Sequence, residues 1–251
     1  MDICAVFVCN KAYFDKFLET SRKLVTVGNY SGPLCLVIGD DLLDSPLLED
    51  SFIVEHKIII KHFPDIFFTE EWIEAVQDIP RDRRWFRKLF QYHKLHLFHP
   101  WFKQWNYIFY IDCGVKIYSD IQPILDERKP NRIVAHSDAY PTYERKLVDN
   151  FSSDNTEVFQ RLTTTYGVQI DYFQSTIMLY DTAIIHEDTL QRLLYLTEEF
   201  PISITNDQGI IALYFTCLEP AFEQLKICVG DTYLYDYFTR NLEHKYIMTK
   251  L

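Results

Sequence analysis

Short, nearly continuous apolar runs alternate along the chain with stretches whose apolar residues recur at helical spacing. Ile3 to Cys9 is the first such run, and Phe14, Phe17, Leu18, Leu24 and Val25 then fall on one face of a helix. Leu34 to Ile38 is a second run, stopped by Gly39-Asp40-Asp41. Phe52 to Ile60, rich in the β-branched residues that suit a pleated surface, reads as a third strand. Thr69 before Glu70 and Glu71 suits a helix start, because a hydroxyl can cap free amides and acids complement the positive end of the helix dipole. That helix is expected to stop near Pro80. A longer helical stretch, from about Arg83 to Phe98, leads through Pro100 into a strand at Tyr107 to Ile111, with a further apolar run at Arg132 to Ala135. This alternation predicts an α/β fold with a mostly parallel central sheet flanked by helices on both faces.

In open α/β sheets ligands bind beyond the carboxyl ends of the strands, where loops are free to carry polar groups. The candidates by that rule are Cys9-Asn10-Lys11, Gly39-Asp40-Asp41, Asp112-Cys113-Gly114 and His136-Ser137-Asp138. The last three bring acids to one edge. In YIFYIDCGVKIYSDIQPIL a hydrophobic strand ends on Asp112, and a short second strand, Val115 to Tyr118, is expected directly after it. A carboxylate at a strand tip can hold a divalent cation, and such a cation offsets the charge on a departing diphosphate. An aspartate there also commonly caps a turn.

That segment resembles the "DxD" strand of GT-A glycosyltransferases, in particular the glycogenin-like branch of glycosyltransferase family 8. Three further segments agree with it in order. KLHLFHPWFKQWNYIFYID resembles the run in which a Lys-Leu-His helix precedes the strand, and the resemblance implies that Lys94 contacts the nucleotide-sugar donor. YFQSTIMLYDTAI resembles a strand whose side-chain amide lies beside the donor sugar, with Gln174 standing where the family has asparagine. NDQGIIALYF resembles a helix start whose acid and amide line the catalytic pocket, here Asp207 and Gln208. These segments run from about Lys94 to Phe215, roughly half the chain. The start of the chain resembles the family's nucleotide-binding loop, where Asn10 would receive the base and Tyr13 would stack on it, although Tyr13 suits a core or surface place equally well.

Two departures stand beside the resemblance. The usual second acid of the metal motif is Gly114, and the C-terminal histidine-glycine-lysine pattern is reduced to His244-Lys245 and Lys250. The resemblance implies transfer of a hexosyl group, with retention of anomeric configuration, from a UDP- or GDP-sugar to a glycan or other hydroxyl acceptor. Lys94 would hold the diphosphate, with Arg87 or Lys88 as further cations. Mn2+ or Mg2+ would sit on Asp112 with His244 as a further ligand. Asp207, Gln208 and Gln174 would face the sugar. The alternative is a non-catalytic nucleotide-sugar binding protein, a reading the missing acid at Gly114 invites.

Composition narrows the field further. A chain of 251 residues with 48% hydrophobic residues can bury roughly three quarters of its unfolded surface, and neither a repeat nor a Ser/Gly-rich linker divides it. One transferase domain over residues 1–251 is expected. The net charge of -11 argues against a nucleic-acid or anionic-lipid partner. The one dense basic cluster, Arg81, Arg83, Arg84, Arg87 and Lys88, reads as a solvated helix face or an anion site. The start MDICAVFVCNKAYF has no secretory signature, and no apolar run approaches the ~20 residues that span a bilayer, so a cytoplasmic protein is expected. In that setting its six cysteines stay reduced. His93, His96 and His99 lack an acid or cysteine at zinc-ligand spacing. The chain has no Gly-x-Gly-x-x-Gly, P-loop or Gly-x-Ser-x-Gly, nor the glycine-rich N-terminal loop of a sugar nucleotidyltransferase.

Overall fold

A computed structural model describes residues 3–77, 89–237 and 245–250. Its centre is a seven-stranded sheet in the order β3-β2-β1-β4-β7-β6-β8. The strands are β1 (Ile3–Cys9), β2 (Leu34–Ile38), β3 (Ile59–His62), β4 (Tyr107–Ile111), β6 (Ile133–Ala135), β7 (Ile177–Asp181) and β8 (Phe222–Gln224). Neighbours are parallel except around β7, which runs antiparallel to both β4 and β6. The period of two along each strand explains why the runs are apolar throughout. In β1, Ile3, Ala5, Phe7 and Cys9 enter the core on one face while Cys4 and Val6 enter the core on the other. In β4, Phe109 and Ile111 side with the first group, and Ile108 and Tyr110 with the second.

Helix α1 (Phe14–Thr26) covers the first face with α4 (Gln122–Leu125), while α6 (Thr189–Glu199) and α7 (Asp207–Leu213) cover the second. A 3-10 helix, Leu89–Phe98, lies beside α6 and α7, and all seven residues from Tyr92 to Phe98 are buried. Helix α3 spans Glu70–Gln77, and the Thr69 hydroxyl accepts from the backbone N–H of Trp72 at 3.2 Å, as a cap should. Helix α5 spans Thr156–Thr165.

Three local expectations are corrected. Phe52 to Ile60 is not one strand: α2 (Ser51–Glu55) occupies its first half and β3 only its end. Asp50 caps that helix by accepting from Phe52 N at 2.9 Å, and Lys57, at φ +49°, turns the chain before Ile59. These local bonds outweigh the β-branched composition. The stretch before β4 is 3-10 rather than α over Leu89–Phe98, and its earlier part lies outside the described residues. The strand after Asp112 shrinks to β5 (Lys116–Ile117), which leaves the central sheet to join a second one. That sheet has the order β5-β11-β10-β9, with β9 at Cys228–Val229, β10 at Thr232–Tyr237 and β11 at Tyr246–Lys250. No helix of the described residues is long and apolar enough to cross a membrane.

Candidate active site

The site forms where β4 ends and the antiparallel β7 begins. Register pairs Ile111 with Ile177, and Asp112 N donates to the carbonyl of Thr176 at 2.9 Å, so Gln174-Ser175-Thr176 and Asp112 share one edge of the sheet. The first turn of α7 brings Asp207 to the same place. Asn206, which precedes α7, holds φ +55° and ψ -121°, a conformation rare outside glycine, and its side-chain amide donates to Gln91 Oε1 at 2.5 Å. Gly209 is needed just behind, since a Cβ there would lie 2.5 Å from Ser203 Oγ.

Lys94 ties these elements together. Its buried ammonium lies 3.0 Å from Asp112 Oδ1 and 3.2 Å from Asp207 Oδ2, and it donates to Ser175 Oγ at 3.4 Å. Ser175 donates to Asp207 Oδ2 at 2.7 Å, and Tyr110 donates to Asp112 Oδ1 at 2.5 Å. Burial opposes the charge on Lys94, but Asp112 and Asp207 more than offset it and hold the ammonium above its ordinary value. Burial also works against Asp112, yet Lys94, Lys250 and the Tyr110 hydrogen bond keep its carboxyl below the usual range. At Asp207 burial prevails over Lys94 and Ser175, and the carboxyl is pushed up. One cation thus faces two acids of different acidity.

Gln208 reaches Ser175 N with Oε1 at 3.4 Å and donates through Nε2 to Asn150 Oδ1 at 3.1 Å. Gln174 is buried, and its Oε1 has no hydrogen-bond partner among the described residues. A buried carbonyl oxygen in that state suits a ligand's hydroxyl. The same holds for Asn10 Oδ1 at the end of β1. Tyr13 follows on a 3-10 turn (Lys11–Tyr13) and is 48% exposed, with Lys16 Nζ 4.9 Å from its ring centre.

Other strand-end acids are bound into the scaffold. Asp40 meets His62 Nε2 at 2.8 Å and the N–H of Asp65 at 3.1 Å, and Asp41 accepts from Lys11 N at 2.9 Å. Asp138 accepts from the Tyr172 hydroxyl and lies 3.9 Å from Arg145. The histidines of the 3-10 helix belong to the core. His96 stacks on Phe63 at 4.6 Å, and burial followed by His93 pushes its pKa down to about 3. Arg87, the rest of the basic cluster and His244 lie outside the described residues.

The cation expected on Asp112 can be tested against the residues around it. Lys94 Nζ is 3.0 Å from one carboxylate oxygen and Lys250 Nζ is 4.0 Å from the other. Gly114 contributes no acid, and its φ of +90° explains why, since a side chain there would be strained. Among the described residues no group of three His, Cys, Asp or Glu side chains is arranged to hold a metal. The described residues therefore do not fit a divalent ion. No motif gives Ser175, Tyr110 or Lys16 a role at the site, and Lys250 stands in the sequence only as a remnant of the C-terminal histidine-glycine-lysine pattern. Their place follows only from the crossing of distant elements.

No known family's sequence profile matches the chain, and no curated protein matches it. Solved structures do. The galactosyltransferase LgtC, in complex with donor and acceptor sugar analogues, superposes with a TM-score of 0.61 at 12% identity, over 94% of this chain and 76% of that one. Mouse xyloside xylosyltransferase 1 gives 0.52 at 14% identity, over 97% and 90%. Core-mannan synthase A from Aspergillus fumigatus, in a manganese and GDP form, gives 0.52 at 11% identity, over 89% and 72%. At such identities the likeness is one of fold: the chain has the GT-A architecture.

Proposed function

We propose that this chain is a glycosyltransferase that moves a hexosyl group from a UDP- or GDP-sugar to a hydroxyl acceptor such as a glycan, working as one domain. The observation that supports it best is the buried Lys94 between Asp112 and Asp207 at the strand-end edge of a GT-A sheet. Folds host many functions, and the chemistry is carried by this site. Lys94 offers charge to the diphosphate, and stabilising that leaving group is the largest electrostatic contribution available here. Asn10 and Tyr13 receive the base. Gln174 offers to a sugar hydroxyl a carbonyl that has no partner among the described residues. Asp207, oriented by Ser175, and Gln208, oriented by Asn150, hold the sugar and acceptor at the reacting centre.

The reaction breaks the bond between the anomeric carbon and the diphosphate oxygen, whose electron pair leaves with the nucleoside diphosphate. A new bond forms from the acceptor oxygen to that carbon, and the hydroxyl proton is released. A panel of UDP- and GDP-sugars, assayed for release of nucleoside diphosphate with and without simple glycans, tests the reading. Release from at least one donor is expected. Binding without release would favour the non-catalytic nucleotide-sugar binder, and no binding at all would remove the nucleotide from the reading.

A further inference from the structure

Three lysines from distant parts of the chain converge on the turn between β4 and β5. Lys250, at the end of β11, donates to the carbonyl of Cys113 at 2.8 Å and lies 4.0 Å from Asp112 Oδ2. Lys94 lies 3.0 Å from the other oxygen of Asp112. A Cβ placed on Gly114 would be 3.5 Å from Lys250 Nζ and 3.5 Å from Lys16 Cδ. The space into which a second acid would project is thus bordered by two lysines. In a chain of net charge -11, this is a local reversal of sign.

A divalent ion ligated by Asp112 would stand about 2.0–2.6 Å from one of its oxygens, and so within a few ångströms of two ammonium groups. Like charges at that range repel strongly in a partly buried site. A diphosphate meets the opposite situation. Lys250 is itself under-compensated: burial pushes its ammonium below the ordinary lysine value despite the pull of Asp112. Lys94 and Lys250 face the two carboxylates Asp112 and Asp207, and Lys16 adds a third positive charge beside the Gly114 turn, its ammonium 4.9 Å from the Tyr13 ring centre. The cluster is left with positive charge that an anion would satisfy.

We propose that Lys250 and Lys16, together with Lys94, give the donor's diphosphate the positive charge that a divalent cation would otherwise supply, so that this chain binds and uses its donor without metal. The inference rests on the transferase reading above. In the transfer step the ammonium groups stabilise the diphosphate oxygen that takes the electron pair, and no co-reactant beyond donor and acceptor is needed.

Calorimetry of UDP and GDP binding, in excess EDTA and again in manganese, tests it on the intact chain and on two variants. The wild type should bind one of the nucleotides with affinities that agree within about twofold in the two buffers. Lys250→Met should weaken binding in EDTA by roughly tenfold to a hundredfold, as loss of a charged hydrogen bond does, and manganese should then restore part of it. Lys16 is exposed on α1, so Lys16→Met keeps the fold intact and should weaken binding by roughly two- to fivefold. Wild-type binding that disappears in EDTA would overturn the inference and leave the transferase reading standing. So would unchanged affinity in the variants. Failure of both nucleotides to bind in either buffer would overturn the two together.

Discussion

Ser175 donates its hydroxyl hydrogen to Asp207 Oδ2 across 2.7 Å, joining the mouth of β7 to the first turn of α7. The bond leaves Asp207 Oδ2 shared between a neutral donor and the Lys94 ammonium at 3.2 Å. Two elements far apart in the chain are thereby locked at the point where the sugar is assigned.

Asp207→Asn should abolish transfer while leaving nucleotide affinity nearly intact, because the acid is assigned to the reacting centre and not to the diphosphate. Ser175→Ala should cost about 1 kcal/mol, or roughly a fivefold fall in kcat, by releasing the carboxylate from its orientation. Steady-state kinetics on whichever donor is used, read beside nucleotide binding, checks both. Wild-type turnover in Asp207→Asn would take the residue out of the site.

Lys94→Met should destabilise the fold by about 3–5 kcal/mol, since it leaves the buried Asp207 and the half-buried Asp112 without their common cation. Urea unfolding monitored by circular dichroism measures this. The double substitution with Asp207→Asn should recover part of the loss, because one of the stranded charges is then gone. A Lys94→Met protein as stable as the wild type would mean that both acids are solvated.

The raised pKa of Asp207 has a definite sign in stability. A carboxyl whose folded pKa lies above its unfolded value of about 3.9 binds its proton more tightly in the folded state. Its contribution is fully present below the unfolded value and is lost as pH rises through the folded one. Asp112, with its lowered value, acts in the opposite sense at more acid pH. The stability of the wild type relative to Asp207→Asn should therefore fall as pH rises above about 4. Denaturation midpoints measured for both proteins across that range would show it, and a difference that grows with pH would contradict the assignment.

Gly114→Ala should cost about 1–2 kcal/mol through backbone conformation alone. The nearest atoms to a Cβ there are 3.5 Å away, so crowding is ordinary, whereas φ of +90° is unfavourable for any residue with a side chain. Thermal unfolding measures the cost. Unaltered stability would show that the turn relaxes without penalty.

What local pattern could determine, it determined well. The limits of β1, β2 and β4 follow from apolar runs ended by polar residues, and Asp112 and Asp207 fall at a strand tip and a helix start as their neighbours require. These features depend on side-chain period and on nearby hydrogen bonds, which the order of residues carries directly. Only the tertiary structure decided that β7 runs antiparallel and so delivers Gln174 and Ser175 beside Asp112. Only it carried β5 into a second sheet, and only it set Lys250 against a carbonyl 137 residues away. Periodicity reports which side of an element is buried, not which element lies against it. Whether Asp112 meets a metal or an ammonium depends on charges from across the chain, whose separation is set by how the loops close.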